Sequence, residues 1–177
     1  MAQGKYIKDY RLVETVDERG RIRTDYEYIG ADYHYARGLP AVRPIRRRAL
    51  GAALVGWLAF LGGLLPNSRG MHALYVSLPY IFSALPLATV TAVLLQDAPE
   101  KEPLEHRQAD RLENRYPPAA LAAGILPCAA LAGELIRLLT GQAVNGGDGL
   151  ACLGAAVTAA AGFFLFSLRR GFQVRKG

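Results

Sequence analysis

Four stretches of this chain are long and nearly free of charge, and they constrain its fold more than any other feature. They cover residues 49–65, 73–95, 119–139 and 149–168, or 17, 23, 21 and 20 residues. A helix needs about 20 residues, within a range of about 17 to 25, to cross the hydrocarbon core of a bilayer. Lipid offers backbone groups no hydrogen bonds, so only helices or closed barrels can span it, and runs of this length and apolarity are helices. The mean hydropathy is only +0.13, because residues 1–48 and 96–118 are strongly polar and dilute the average.

The expected fold is an all-α integral membrane protein: a four-helix transmembrane bundle with a small N-terminal cytoplasmic β-hairpin. Residues 1–48 form a cytoplasmic segment holding the hairpin, at about 9–29, and a basic run next to the membrane. Residues 49–168 form the four-helix region with a cytoplasmic loop over 96–118, and 169–177 form a basic tail. The first apolar run begins well into the chain and lacks a short basic start, so no cleavable signal peptide is expected.

Basic residues set the orientation. Of the 21 Lys and Arg, nineteen lie before the first span, between the second and third, or after the fourth. Only Arg69 and Arg137 fall on the other side. Cytoplasmic flanks collect Lys and Arg, so both termini are predicted to be cytoplasmic. The net charge of +6 raises the possibility of nucleic acid, but "RPIRRR" and "RRGFQVRK" abut apolar spans. Arg43, Arg46, Arg47, Arg48, Arg169 and Arg170 therefore read as topology determinants and as contacts for anionic lipid headgroups at the bilayer, with no nucleic-acid partner.

The N-terminal segment alternates at period two. Tyr10, Leu12 and Val16 interleave with Arg11 and Thr15, and Ile22, Thr24, Tyr26 and Tyr28 interleave with Arg23, Asp25 and Glu27. "DERG" between them reads as a turn ending at Gly20. A lone hairpin is marginal in water, so a face bearing Tyr10, Leu12, Ile22, Tyr26 and Tyr28 needs cover. The cover can be the cytoplasmic loop of the same chain, a second copy, the bilayer surface or a protein partner.

Residues 96–118 read as a short surface helix starting near Pro103, with Leu104, Leu112 and Tyr116 as its apolar positions and Pro117 closing it. His106 reads as an ordinary exposed histidine. His34, His72 and His106 share no ligand spacing, so no metal site is expected, and no cofactor is implied.

Within the spans, Ala52 with Gly56, Ala59 with Gly63, Ala120 with Gly124, Ala129 with Gly133, and Cys152 with Ala156 and Ala160 offer small-residue faces for packing within one chain or in a homo-oligomer. Pro79 and Pro86 should kink the second span and free carbonyls, which either meet local hydroxyls or line a path, with Tyr80 among the polar groups. Pro127 is a second candidate kink. Trp57 reads as packing. Cys128 and Cys152 lie at different depths and should not pair.

The third span carries Glu134 and Arg137, three residues apart and so on one face. They read either as an interfacial pair, with Arg137 reaching toward water, or as a ligand or ion site. No nucleophile–base set or phosphate loop is visible. The function expected is a non-catalytic accessory or scaffold subunit of a larger membrane complex. The rival is a small oligomeric transporter or channel subunit using the kinked helix and Glu134, and an enzyme of lipophilic substrates comes third.

Overall fold

The computed structural model describes residues 7–16, 22–98, 102–143 and 145–177. The chain is mostly helical, with four helices long and apolar enough to cross a membrane and two small sheets. Strand β1 is Tyr10–Val16, β2 Ile22–Tyr28 and β3 Tyr33–Tyr35. Helix α1 is Leu39–Leu64, α2 Leu74–Phe82, α3 Ala84–Ala92, α4 His106–Asn114, α5 Tyr116–Leu139 and α6 Gly146–Ser167, and β4 is Val174–Lys176.

Helix α1 starts ten residues before its apolar run. Gly38 turns the chain at φ 74, a conformation glycine adopts without strain, and Pro40 follows in the first turn, where its missing N–H costs nothing. The basic run is thus the first part of the helix.

The helices pack as a ring, α1 on α6, α6 on α5, α5 on α2 and α3, and α3 back on α1. Small residues set the closest approaches. A Cβ on Gly154 would lie 2.7 Å from Gly63 Cα and 2.8 Å from the Ala59 carbonyl oxygen. One on Gly162 would lie 2.7 Å from Gly124 Cα. Helix α5 buries Ala120, Gly124, Pro127, Ala130, Gly133, Glu134 and Arg137, an inward line at helical spacing. The packing line of α6 differs from the expected one. Ala156 and Ala160 are exposed and Cys152 half-buried, while Gly154, Ala155, Thr158, Ala159 and Gly162 are buried, because α6 meets α1 and α5 on two adjacent faces.

The second span breaks into α2 and α3 at Ser83. Phe82 is the residue whose carbonyl the Pro86 ring would strike in a continuous helix, so α2 stops there. The Ser83 hydroxyl donates to the Tyr80 carbonyl at 2.6 Å. Thr89 and Thr91 donate to Leu85 and Leu87 at 2.9 and 2.8 Å. Tyr80 donates to the Phe60 carbonyl at 2.9 Å and the Trp57 indole to Thr91 at 3.0 Å. Local hydroxyls and α1 thus take up the polar groups around the break. Helix α5 runs through Pro127 without a break.

Strands β1 and β2 pair antiparallel, Tyr10 opposite Tyr28, Leu12 opposite Tyr26 and Val16 opposite Ile22. The expected turn at 17–20 lies outside the described residues. A second sheet pairs β3 with β4, Tyr33 opposite Lys176 and Tyr35 opposite Val174. The basic tail is therefore partly a strand, which holds the C-terminus beside the N-terminal segment at one end of the bundle.

Candidate functional site

Helix spacing, one cap and one tight turn bring three charged side chains together inside the bundle. Glu134 and Arg137 are one turn apart on the buried line of α5, and Asp148 lies in the first turn of α6. Glu134, Arg137 and Asp148 are only 5%, 2% and 3% exposed. Asn145 caps α6 by accepting a hydrogen bond from the Asp148 amide at 3.1 Å, and its own amide donates to Asp148 Oδ2 at 2.9 Å. That reciprocal cap fixes the carboxylate against the helix end.

Arg137 joins the two acids. Its Nε donates to Glu134 Oε2 at 2.8 Å, one Nη to Asp148 Oδ2 at 2.5 Å and the other to the Ala143 carbonyl at 3.0 Å. Asp148 Oδ1 accepts from the Ser68 hydroxyl at 2.7 Å and from the Gly70 amide at 3.2 Å. Asn145 also donates to the Asn67 carbonyl at 2.7 Å. The cluster therefore clamps the α1–α2 connection to the α5–α6 connection. Glu134 Oε1 is buried and no protein donor reaches it. It lies against Gly70, where any Cβ would collide with it.

The expected interfacial pair needs correction in one respect. Arg137 does not reach toward water, because the two connections fold over it and Asp148 supplies a second counter-charge. Asp148 went unnoticed in the sequence because it precedes the apolar run. Its signal was the spacing of Asn145 and Asp148, that of a reciprocal helix cap. Tyr80, Pro79 and Pro86 stand apart from the cluster. The Tyr80 hydroxyl is committed to carbonyls of α1, and the half-buried prolines flank the break in the second span.

The opposite end is assembled from many small contacts. Tyr10 donates to Glu105 at 2.5 Å, and the Tyr28 hydroxyl accepts from the His106 amide at 2.9 Å while donating to the Ala31 carbonyl at 2.8 Å. His106 Nδ1 lies 3.0 Å from Asp9, and its ring stacks on Tyr33 at 5.5 Å. It is half-buried rather than an ordinary exposed histidine, since the hairpin docks on it. Burial, and then the bond to Glu105, pushes the Tyr10 hydroxyl up to about 12. Burial likewise raises Tyr28 and pushes Tyr35 up to about 12. Leu104, Leu112 and Tyr116, the apolar positions expected for the surface helix, are all buried. Asp97, at 1% exposure, pairs with Arg111 at 3.0 Å, a second buried acid that sequence reasoning missed.

Among the described residues, the contacts that cover the hairpin lie at its base. Leu12 and Tyr26, opposite one another, are 60% and 73% exposed. Ile22 lies in β2 opposite Val16. Of the six arginines expected at headgroups, Arg43, Arg47, Arg48 and Arg170 are exposed. Arg46 instead donates to the Leu94 carbonyl at 3.2 Å, and Arg169 stacks over the Phe166 ring at 3.8 Å. Cys128 and Cys152 are free. Among the described residues no three His, Cys, Asp or Glu side chains gather as a metal site.

Fold and cluster define a protein of four apolar helices, each long enough to cross a membrane, clamped at one end by buried charge. No protein-family model matches the chain, and no curated protein and no solved structure matches it significantly.

Proposed function

We propose that the chain is a polytopic membrane protein with both termini and the α3–α4 connection on the cytoplasmic side, and that it acts as a non-catalytic accessory or scaffold subunit of a larger membrane assembly. The observation that carries this reading is the hairpin. Its base is anchored through Tyr10, Tyr28 and His106, while Leu12 and Tyr26 at its middle stay exposed. Among the described residues β1 and β2 pair with each other and no further strand lies along their outer edges. An anchored, two-stranded platform with an apolar patch and free edges suits a protein partner.

Support for the membrane placement comes from the outward faces, where Leu54, Leu58, Leu61, Ile81, Leu85, Ile125 and Leu153 are exposed along the spans. In water such a belt would be an aggregation surface. The pairing of β3 with β4 holds N-terminal segment and tail together, as four crossings require. Arg43, Arg47, Arg48 and Arg170 lie at that end, suited to anionic headgroups worth about 1 kcal/mol per basic residue.

The test is a photo-crosslinker placed at Tyr26 in native membranes. A single discrete adduct is expected, lost when Leu12→Ser is added. The absence of any adduct, or a fluorescent reporter on either terminus found outside the cell, overturns the reading. The unpartnered Glu134 oxygen favours a second reading, a small transporter or channel subunit, for which Glu134→Gln should abolish solute flux in vesicles while leaving the hairpin adduct intact.

A further inference from the structure

The outer edge of β2 is complementary to itself. Its phase follows from the ladder, where the Ile29 amide donates to the Asp9 carbonyl at 2.8 Å, one pair beyond Tyr10 and Tyr28. Backbone groups alternate between the two sides of an antiparallel strand. Those of Arg23, Asp25 and Glu27 therefore bond to β1, while those of Ile22, Thr24, Tyr26 and Tyr28 point away from it. Among the described residues no strand takes these outward groups up. The edge is also reachable. Tyr10 and Tyr28 dock on Glu105 and His106, and the hairpin runs on past that contact, with Thr24, Tyr26 and Glu27 exposed.

Residues 21–27 read "RIRTDYE", in which the charges reverse sign about Thr24. An antiparallel pairing of β2 with a second β2, two-fold about Thr24, sets Arg23 opposite Asp25 and Ile22 opposite Tyr26 on both sides of the axis. Arg21, just before the strand in the sequence, continues the match to Glu27. Neighbouring registers fail. Centred on Asp25, that carboxylate faces its own copy. Centred on Tyr26, Asp25 faces Glu27, and centred on Arg23, two arginines meet. Opposite charges directly across a ladder stabilise it and like charges destabilise it. The edge of β1 has no such register, because its Arg11 and Glu14 are an odd number of residues apart and never meet in a two-fold pairing.

We propose that the partner at this edge is a second copy of the chain, joined β2 to β2 about Thr24 in a four-stranded sheet. This pairing rests on the hairpin being a docking platform, and it gives that platform an occupant. A lone two-stranded hairpin is marginal in water, whereas a wider sheet with an apolar face is stable. A two-fold contact is closed, so it stops at two copies rather than growing into a fibre. The outer edge of β1 stays available to another member of the assembly.

The test is a cysteine scan of residues 23–27 in the full chain in native membranes, with Cys128 and Cys152 replaced by alanine. Across a hydrogen-bonded pair the Cα atoms stand about 5.5 Å apart, within disulfide reach. Mild oxidation should couple Thr24→Cys into a dimer of twice the 19.2 kDa chain, with lower yield on either side. Arg23→Glu and Asp25→Arg, each added alone to Thr24→Cys, should cut that yield by about fivefold or more, because each sets like charges opposite one another twice. Co-expressing the two should restore it as a mixed dimer, which also shows that both variants fold. A maximum at another position, no coupling anywhere, or charge variants without effect overturns the proposal. If no cysteine couples while the Tyr26 photo-crosslinker gives an adduct of another mass, the second copy is wrong and the docking platform stands. If neither product forms, both fall.

Discussion

The two ends of the bundle hold charge in opposite ways. At the α1–α2 and α5–α6 connections, three charges are nearly fully buried in one network that a single arginine joins. At the other end, hydrogen bonds and ion pairs are spread over Tyr10, Tyr28, His34, Glu105, His106 and Arg111, most of them partly open to water. A buried pair broken on one side leaves an uncompensated charge, whereas a half-exposed pair is replaced by water at little cost. One end is therefore all-or-none and the other can be loosened piece by piece. An adaptable end suits docking, and a sealed end suits holding the helices together.

The largest expected effect breaks the sealed end. Arg137→Met should cost about 3–5 kcal/mol, because two carboxylates are left buried without a cation. Arg111→Met at the open end leaves one buried carboxylate, Asp97, rather than two, and water can follow the half-exposed side chain it removes, so it should cost less, about 1.5–3 kcal/mol. Equilibrium unfolding in mixed micelles compares them, and an equal or reversed order ends the contrast. Next comes Gly70→Ala, whose Cβ would collide with Glu134 Oε1. A loss of about 1–3 kcal/mol is expected there, read in the same assay, and an unchanged protein would mean the two connections are not tightly clamped.

Smaller effects sharpen the open end. Tyr10→Phe removes one hydrogen bond to a carboxylate, worth about 1.5–3 kcal/mol at most and less at this half-open site. Hydrogen exchange should quicken in β1 and β2 while the bundle midpoint stays fixed. The same contact should respond to alkali. The Tyr10 hydroxyl titrates at about 12 in the fold against 10.0 ordinarily, so the docking it supports is complete below pH 10 and lost as pH rises through 12. Ultraviolet titration of tyrosinate beside hydrogen exchange checks this. Smallest of all, Leu12→Ser with Tyr26→Ser should change stability by no more than about 0.5 kcal/mol each. A large loss would show that the exposed patch is covered by its own chain.

How far the sequence could be read follows the range of the interactions. The four spans were legible because their signal is a local run of apolar residues, and the hairpin because alternation is local too. The shared face of Glu134 and Arg137 followed from three-residue spacing, and the break near Pro86 from one ring. The reach of α1 back to Leu39 was obscured because arginines on a helix look like a linker.

Sequence alone determined that this chain has four apolar helices, a β-hairpin and one charged pair placed where apolar residues would be expected. Tertiary structure alone decided which way that pair turns, that Asp148 completes it, that the tail pairs with Tyr33–Tyr35, and that Leu12 and Tyr26 of the hairpin stay exposed. The bond from Ser68 to Asp148 joins residues 80 apart, and that from Tyr10 to Glu105 residues 95 apart. Periodicity reports which face of a helix is apolar, but the order of helices around the ring decides what each face meets.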